Sequence, residues 1–274
     1  MNSNNNILLI DPAFDPGASS TCNLLVKVGT DHLSYAIINA ESKQAYVIFD
    51  EQECEDGISK LKERLQTDPY LSLAYHEVKT ALYSPNVISI PNDLYDQNSQ
   101  AVHAKFLTGS SSAHLYTQNL AHFGFTTLFA LPKAIDAAID HQLANVQKYQ
   151  HNAGLFALAE HNDGNNLFLD FSVGSLHVLY TKNQQVVFQQ CYEIENIEEL
   201  NYYLLLMISQ LNIDTTNTHV HLCGIIHQDD EKYNCLSKYL SSIQWMTAPH
   251  PTDLLEEMPS HYYSSLLALD LCVS

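Results

Sequence analysis

Apolar positions between residues 24 and 49 alternate in three short runs, broken at Gly29-Thr30-Asp31-His32 and at Glu41-Ser42-Lys43. Period-two alternation bounded by turn residues predicts three antiparallel strands. Ile58, Leu61 and Leu65 then recur at helical spacing, the helix stopping at Asp68-Pro69, and residues 78–83 read as a fourth strand before Pro85. The same order returns from residue 167. Three strands run to Phe188, a longer helix carries Ile197, Leu200, Leu204, Ile208 and Leu211 on one face, and residues 220–224 form a strand. Leu24 aligns with Leu167 and Leu33 with Leu176 at an offset of 143, Val78 with Val220 at 142, and Ala45 with Val186 at 141. The pattern is therefore an internal repeat whose second copy has a tighter turn.

The segment from 85 to 163 has no counterpart in the second half. Its runs predict strands at 87–90, 115–120 and 126–131, a loop at 109–112, a helix opened by Pro132 and a second helix over 152–161. Beyond the second copy, residues 229–240 read as helix, 243–247 as a short strand, and 251–271 as helix broken at Pro259. Residues 1–21, with Pro12, Pro16 and Gly17, read as an ordered or loose lead-in and not a domain. The expected division is a first unit over 1–150, with an inserted segment at about 85–150, and a second over 151–274.

Composition narrows the function. At 274 residues and 46% hydrophobic content the chain can bury a core without staples. Thirty-one acidic against 12 basic residues give a formal charge of −19, and Arg64 is the one arginine. Such a surface lacks the cations that neutralise nucleic-acid phosphate, and anionic membranes repel it. Six scattered cysteines without a Cys-x-x-Cys pair predict free thiols in a reducing compartment. The start has no basic region ahead of its short apolar run, and the longest apolar stretch, near Leu204, falls short of the ~20 residues of a membrane span. A cytoplasmic protein is expected.

Several stretches, YHEVKTALYSPNVISIPNDLY, YTQNLAHFGFTTLFALPKAID, LNYYLLLMISQLNID, HLCGII and HYYSSLLALDLC, resemble an uncharacterised bacterial family. Two meander–helix–strand units about 140 residues apart also resemble the actin-like ATPase superfamily, in which two ribonuclease-H-like lobes face one another. The resemblance implies an α/β fold of two such lobes. It is distantly similar to actin-like proteins of cell division and pilus assembly, which implies interaction roles. Fold alone does not fix function.

The resemblance also locates a nucleotide cleft. Active members bring two Asp-x-Gly strand ends to bound phosphate and metal-bound water. Here the first place reads Lys27-Val28-Gly29, with lysine for the aspartate, and the second Asp170-Phe171-Ser172, with the glycine lost. The glycine pair expected after the later strand is Gly224-Ile225. The expectation is a degenerate cleft with no catalytic residue, no cofactor and no metal, in a protein that works through a protein partner or as a scaffold. The competing expectation is an ATP-binding protein or weak ATPase that takes ATP with Mg at Lys27, Gly29, Asp170, Ser172 and Gly224, Lys27 holding phosphate as a point charge.

Other candidates are weaker. A two-metal nuclease needs carboxylates on the first strand, helix and fourth strand of one unit; Asp170 with Glu198 or Glu199 leaves the strand at 219–224 without one. His219, His221 and Cys223 share a strand face that suits zinc, though a polar strand face in a chain with 14 histidines explains them as well. Ser110, Ser111 and Ser112 near His114 lack a Gly-x-Ser-x-Gly elbow and read as a polar loop. Tyr202, Tyr203, Tyr262, Tyr263 and Trp245 read as core aromatics or, if exposed, as partner anchors.

Overall fold

Every residue from Cys22 to Val28 is buried, which an amphipathic edge strand never achieves. The computed structural model, which describes residues 6–96, 100–107, 112–251 and 258–273, explains why. This strand, β2, lies inside a six-stranded sheet, β1-β4-β3-β2-β5-β9, and is covered on both faces. In chain order its strands are β1 (Asn6–Ile10), β2 (Cys22–Val28), β3 (Leu33–Asn39), β4 (Ala45–Glu51), β5 (Glu77–Leu82) and β9 (Val146–Gln150). Helix α1 (Gly57–Thr67), capped by Asp56, fills the turn between β4 and β5. Its Leu61 and Leu65 pack on Leu24, Val26 and Val28, while Leu25, Ala36 and Ile48 face the opposite layer.

Between β5 and β9 the chain builds a separate three-stranded sheet, β6-β8-β7. It consists of β6 (Val87–Pro91), β7 (Ala113–Leu120) and β8 (Phe125–Pro132), with a short helix α2 (Gln100–His103). Helix α3 (Lys133–Gln142) leads back to β9. The expected loop at 109–112 lies outside the described residues except for Ser112.

Helix α4 (Ala153–Ala159) crosses to a second, five-stranded sheet, β12-β11-β10-β13-β14. Its members are β10 (Asn165–Phe171), β11 (Ser175–Lys182), β12 (Gln185–Glu193), β13 (His219–Gly224) and β14 (Ser242–Trp245). Helices α5 (Ile197–Gln210) and α6 (Glu231–Ser237) cover one face through Leu200, Leu204, Met207 and Leu236. Both sheets order a central strand between an antiparallel hairpin and a parallel strand: β2 pairs β3 and β5, and β10 pairs β11 and β13.

The lead-in, expected as ordered or loose, is ordered, since β1 pairs with β4 in unbroken register from Asn6↔Glu51 to Ile10↔Val47. The tail expected as helix over 251–271, broken at Pro259, is described at 251 and from 258 on. There it forms α7 (Ser264–Leu267) and a 3-10 turn (Ala268–Leu271), which return to the first sheet through Leu266, Leu267 and Leu269. Helices α4 and α7 touch so closely that a Cβ on Gly154 would stand 1.8 Å from the Ser265 carbonyl oxygen. Only glycine permits that approach.

Candidate functional site

The carboxyl ends of β2 and β10 face each other across the space between the sheets. Lys27 Nζ donates to Asp170 Oδ2 at 2.6 Å and to Ser265 Oγ of α7 at 2.7 Å. Both charged residues are buried. Burial alone would raise the Asp170 carboxyl, but the Lys27 ammonium beside it holds it below the usual carboxylate range. A buried ion pair repays its desolvation only when further hydrogen bonds complete it, and Ser265 supplies one.

Around this pair stand Ser34, Asp50, His177, Tyr263 and Leu266, and the cavity they leave is about 30 Å³. That is the room of a water or two, whereas ligand pockets run to roughly 300–1,000 Å³. Asp50 accepts from Gln52 Nε2 at 2.8 Å, and burial pushes its carboxyl up. The same Gln52 accepts the Val173 N–H at 3.3 Å from the second hairpin turn, and Ser175 Oγ donates to Asp31 at 3.4 Å. These bonds stitch the first sheet's loops to the second's.

The turn residues are equally committed. Gly29 N–H donates to the His32 carbonyl at 2.9 Å, and a Cβ on Gly29 would lie 2.2 Å from the His32 ring. Ser172 N–H donates to the Ser175 carbonyl at 2.9 Å, with the two hydroxyls 2.6 Å apart. Gly224 has φ +83, the left-handed region, and its N–H donates to the His261 carbonyl at 2.9 Å. A Cβ there would sit 2.0 Å from the Phe171 oxygen. The five candidates Lys27, Gly29, Asp170, Ser172 and Gly224 thus gather at the strand ends, each occupied by a protein partner.

Sequence reasoning missed the histidines of this site. His32, His151 and His177 are buried; His32 and His151 place Nε2 atoms 3.3 Å apart, and the His151 and His177 ring centroids are 4.3 Å apart. Burial, with Lys27 nearby, lowers His177 to about 3 and drives His151 well below its ordinary value. His151 Nδ1 has no hydrogen-bond partner. The hairpin register carried a signal for one of them: the count that pairs Lys27 with Ser34 pairs Asp170 with His177. Ser265 had none, since only the returning chain brings it to Lys27.

A groove of about 400 Å³ adjoins this cavity, sharing Asp50, Gln52, Ile225, Tyr262 and Tyr263 with it and lined also by Ile7, Glu53 and Met258. Its described lining holds two carboxylates and no basic side chain, which disfavours a triphosphate.

The remaining candidates resolve individually. His221 stacks on Phe168 and hydrogen-bonds Asn166 at 2.9 Å and Gln244 at 3.0 Å, while His219 contacts Ser242. Cys223 is fully buried. Among the described residues no group of three or more His, Cys, Asp or Glu side chains is arranged to hold a metal ion. Ser110 and Ser111 lie outside the described residues, and His114 instead meets the buried Asp136. Tyr263 is core; Tyr203 stacks on Tyr192, Trp245 stacks between Tyr233 and His261, and Tyr202 is exposed.

Comparison with solved structures follows this geometry. A protein from Bacteroides thetaiotaomicron, described as having an actin-like ATPase fold and unknown function, matches with a TM-score of 0.74 at 17% identity. The match covers 95% of this chain and 99% of that one. The PilM–PilN type IV pilus biogenesis complex matches with a TM-score of 0.59 at 14% identity, over 91% of this chain and 97% of that one. Likeness at these identities establishes the fold, an actin-like ATPase fold. Among curated proteins nothing matches. Residues 11–243 match the family described as "Protein of unknown function (DUF3822)", and the chain belongs to that family.

Proposed function

We propose that this chain is a non-catalytic, cytoplasmic protein of actin-like fold that works by binding a partner protein or as a scaffold. One observation carries the proposal: the Lys27 ammonium, 2.6 Å from Asp170, fills the place where the chemistry of an actin-like ATPase needs a metal-bound phosphate. A cation covalently fixed to the fold neutralises Asp170 permanently, and the space left beside the pair, about 30 Å³, is that of a water or two.

The same proposal reads the chain as two duplicated ribonuclease-H-like lobes, divided near residue 150 with the segment 85–150 inserted in the first. The shared order β4-β3-β2-β5 and β12-β11-β10-β13 supports it, as does the 143-residue offset between Lys27 and Asp170. The last residues return to the first lobe. A binding role suits the fold, since PilM is found in a two-protein pilus biogenesis complex.

Thermal unfolding with and without millimolar Mg-ATP tests this. A ligand at 100 times its dissociation constant adds about 2.7 kcal/mol of stability. The proposal expects no shift with ATP, ADP or GTP. A Mg-dependent rise in midpoint that Asp170→Ala removes would establish the nucleotide-binding alternative.

A further inference from the structure

Strand β1 is an edge of the first sheet, and three of its five residues are large, apolar and exposed: Ile7 at 43%, Leu8 at 45% and Ile10 at 41%. Among the described residues the other sheet edges hold at most one such side chain each, Val187 on β12 and Trp245 on β14. Natural edges are blunted by charge, proline or bulges. Pro91 ends β6, Lys148 lies in β9, and the β11–β12 ladder is bulged at Tyr180 and Thr181. Strand β1, sequence NILLI, has none of these devices.

The direction of its amides is readable. Asp11 N–H donates to the Tyr46 carbonyl, one step beyond Ile10↔Val47. In an antiparallel ladder hydrogen-bonded pairs alternate, so Ile7 and Leu9 bond β4 while Asn6, Leu8 and Ile10 turn their N–H and C=O outward. We propose that this edge pairs with β1 of a second copy of the same chain, antiparallel about a two-fold axis at Leu8. Leu8 then exchanges both amide bonds with the partner copy's equivalent residue, and Asn6 does so with the copy of Ile10. Such an isologous contact is closed and joins two six-stranded sheets into one.

Charge selects this occupant. The molecule carries −19, so its surface repels its own copy nearly everywhere. Residues 1–10 carry no charged side chain, and Glu51, opposite Asn6, is held by Arg64 at 2.8 Å and Lys60 at 3.2 Å. A basic partner has nothing to grip on a neutral strand; a second neutral strand meets it without a desolvated charge.

Sedimentation of the full chain across concentration and salt tests this. The expected mass moves from 30.8 kDa toward its double as protein approaches about 100 µM. Association tightens as salt screens the repulsion. Leu8→Pro removes an outward N–H while sparing the β1–β4 ladder, and weakens association at least about tenfold with the unfolding midpoint unchanged. Should that variant unseat β1, seen as a lowered midpoint, Leu8→Lys carries the test by setting two ammonium groups face to face. A chain monomeric throughout, a dimer that salt weakens, or one that Leu8→Lys leaves intact would overturn the proposal.

Discussion

Lys27 and Asp170 stand at corresponding points of two central strands 143 residues apart, and their side chains meet, Nζ to Oδ2, at 2.6 Å. Where actin-like chemistry sets two carboxylates around a divalent cation, this molecule sets one carboxylate against its own ammonium. On the proposed reading, the exchange turns a site that must open for a ligand into a contact that keeps it closed. Ser265 of α7 adds a bond to Lys27, and Gln52 and Ser175 add bonds between the loops of the two sheets.

Gly224 and Gly164 both have left-handed φ, +83 and +81, but different surroundings. A Cβ on Gly164 meets nothing within 4 Å; on Gly224 it meets the Phe171 backbone and Asp170. Gly164→Ala is expected to lower stability by roughly 1 kcal/mol, the cost of the conformation alone. Gly224→Ala adds a backbone collision and is expected to lose at least about 3 kcal/mol. Urea unfolding of both variants measures the difference.

Acid should loosen the cleft before it titrates Asp170. An unfolded histidine binds its proton near pH 6.5, whereas folded His177 does so only at about 3. The unfolded state therefore holds more protons in that interval, and stability falls as pH drops from 6.5 toward 3. His177 alone is expected to cost on the order of 2 kcal/mol by pH 5, with His151 acting in the same direction. Below about 3.8, protonation of Asp170, whose folded carboxyl is held low, removes further stability. Unfolding free energies from pH 7.5 to 5 should slope less in His177→Gln than in the parent chain.

Much of this fold was legible in the sequence. The central strands β2 and β10, their hairpins, α1, α5 and the three strands of the inserted sheet all followed from periodicity and turn residues. Strand β1 was not, because Pro12, Pro16 and Gly17 dominate its neighbourhood and its pairing partner, β4, is some forty residues away. Strand β9, VQKYQ, is polar in composition, and Tyr149 is buried against α4 and the returning tail. Of the five candidate site residues, Lys27, Asp170 and Ser172 line one cavity, while Gly29 and Gly224 lie at turns beside it. What they do to one another was not readable, since a lysine in place of an aspartate announces a lost metal ligand but not the partner it finds. The histidine cluster was hidden by distance, His32 and His151 being 119 residues apart.

A second buried charge network ties the inserted sheet to the first. Asp136 of α3 is 1% exposed and receives Lys148 Nζ at 2.5 Å and Tyr116 OH at 2.7 Å. Lys148→Met leaves that carboxylate without its cation and is expected to cost about 3–5 kcal/mol. The loss should be recovered in large part by adding Asp136→Asn, which removes the charge. Chemical denaturation of the single and double variants reads both effects.

The account rests on the Lys27–Asp170 contact holding the cleft shut, and a double-mutant cycle on that pair tests it most directly. Unfolding free energies would be measured for Lys27→Met, Asp170→Leu and the two combined. Each single variant strands a buried charge and should lose about 3–5 kcal/mol, while the double variant, with neither charge, should lose clearly less than the sum. A coupling on the order of 3 kcal/mol is the predicted result. Single effects that simply add, to within about 0.5 kcal/mol, would mean that the two side chains stand near each other without clamping the cleft, and would contradict the account.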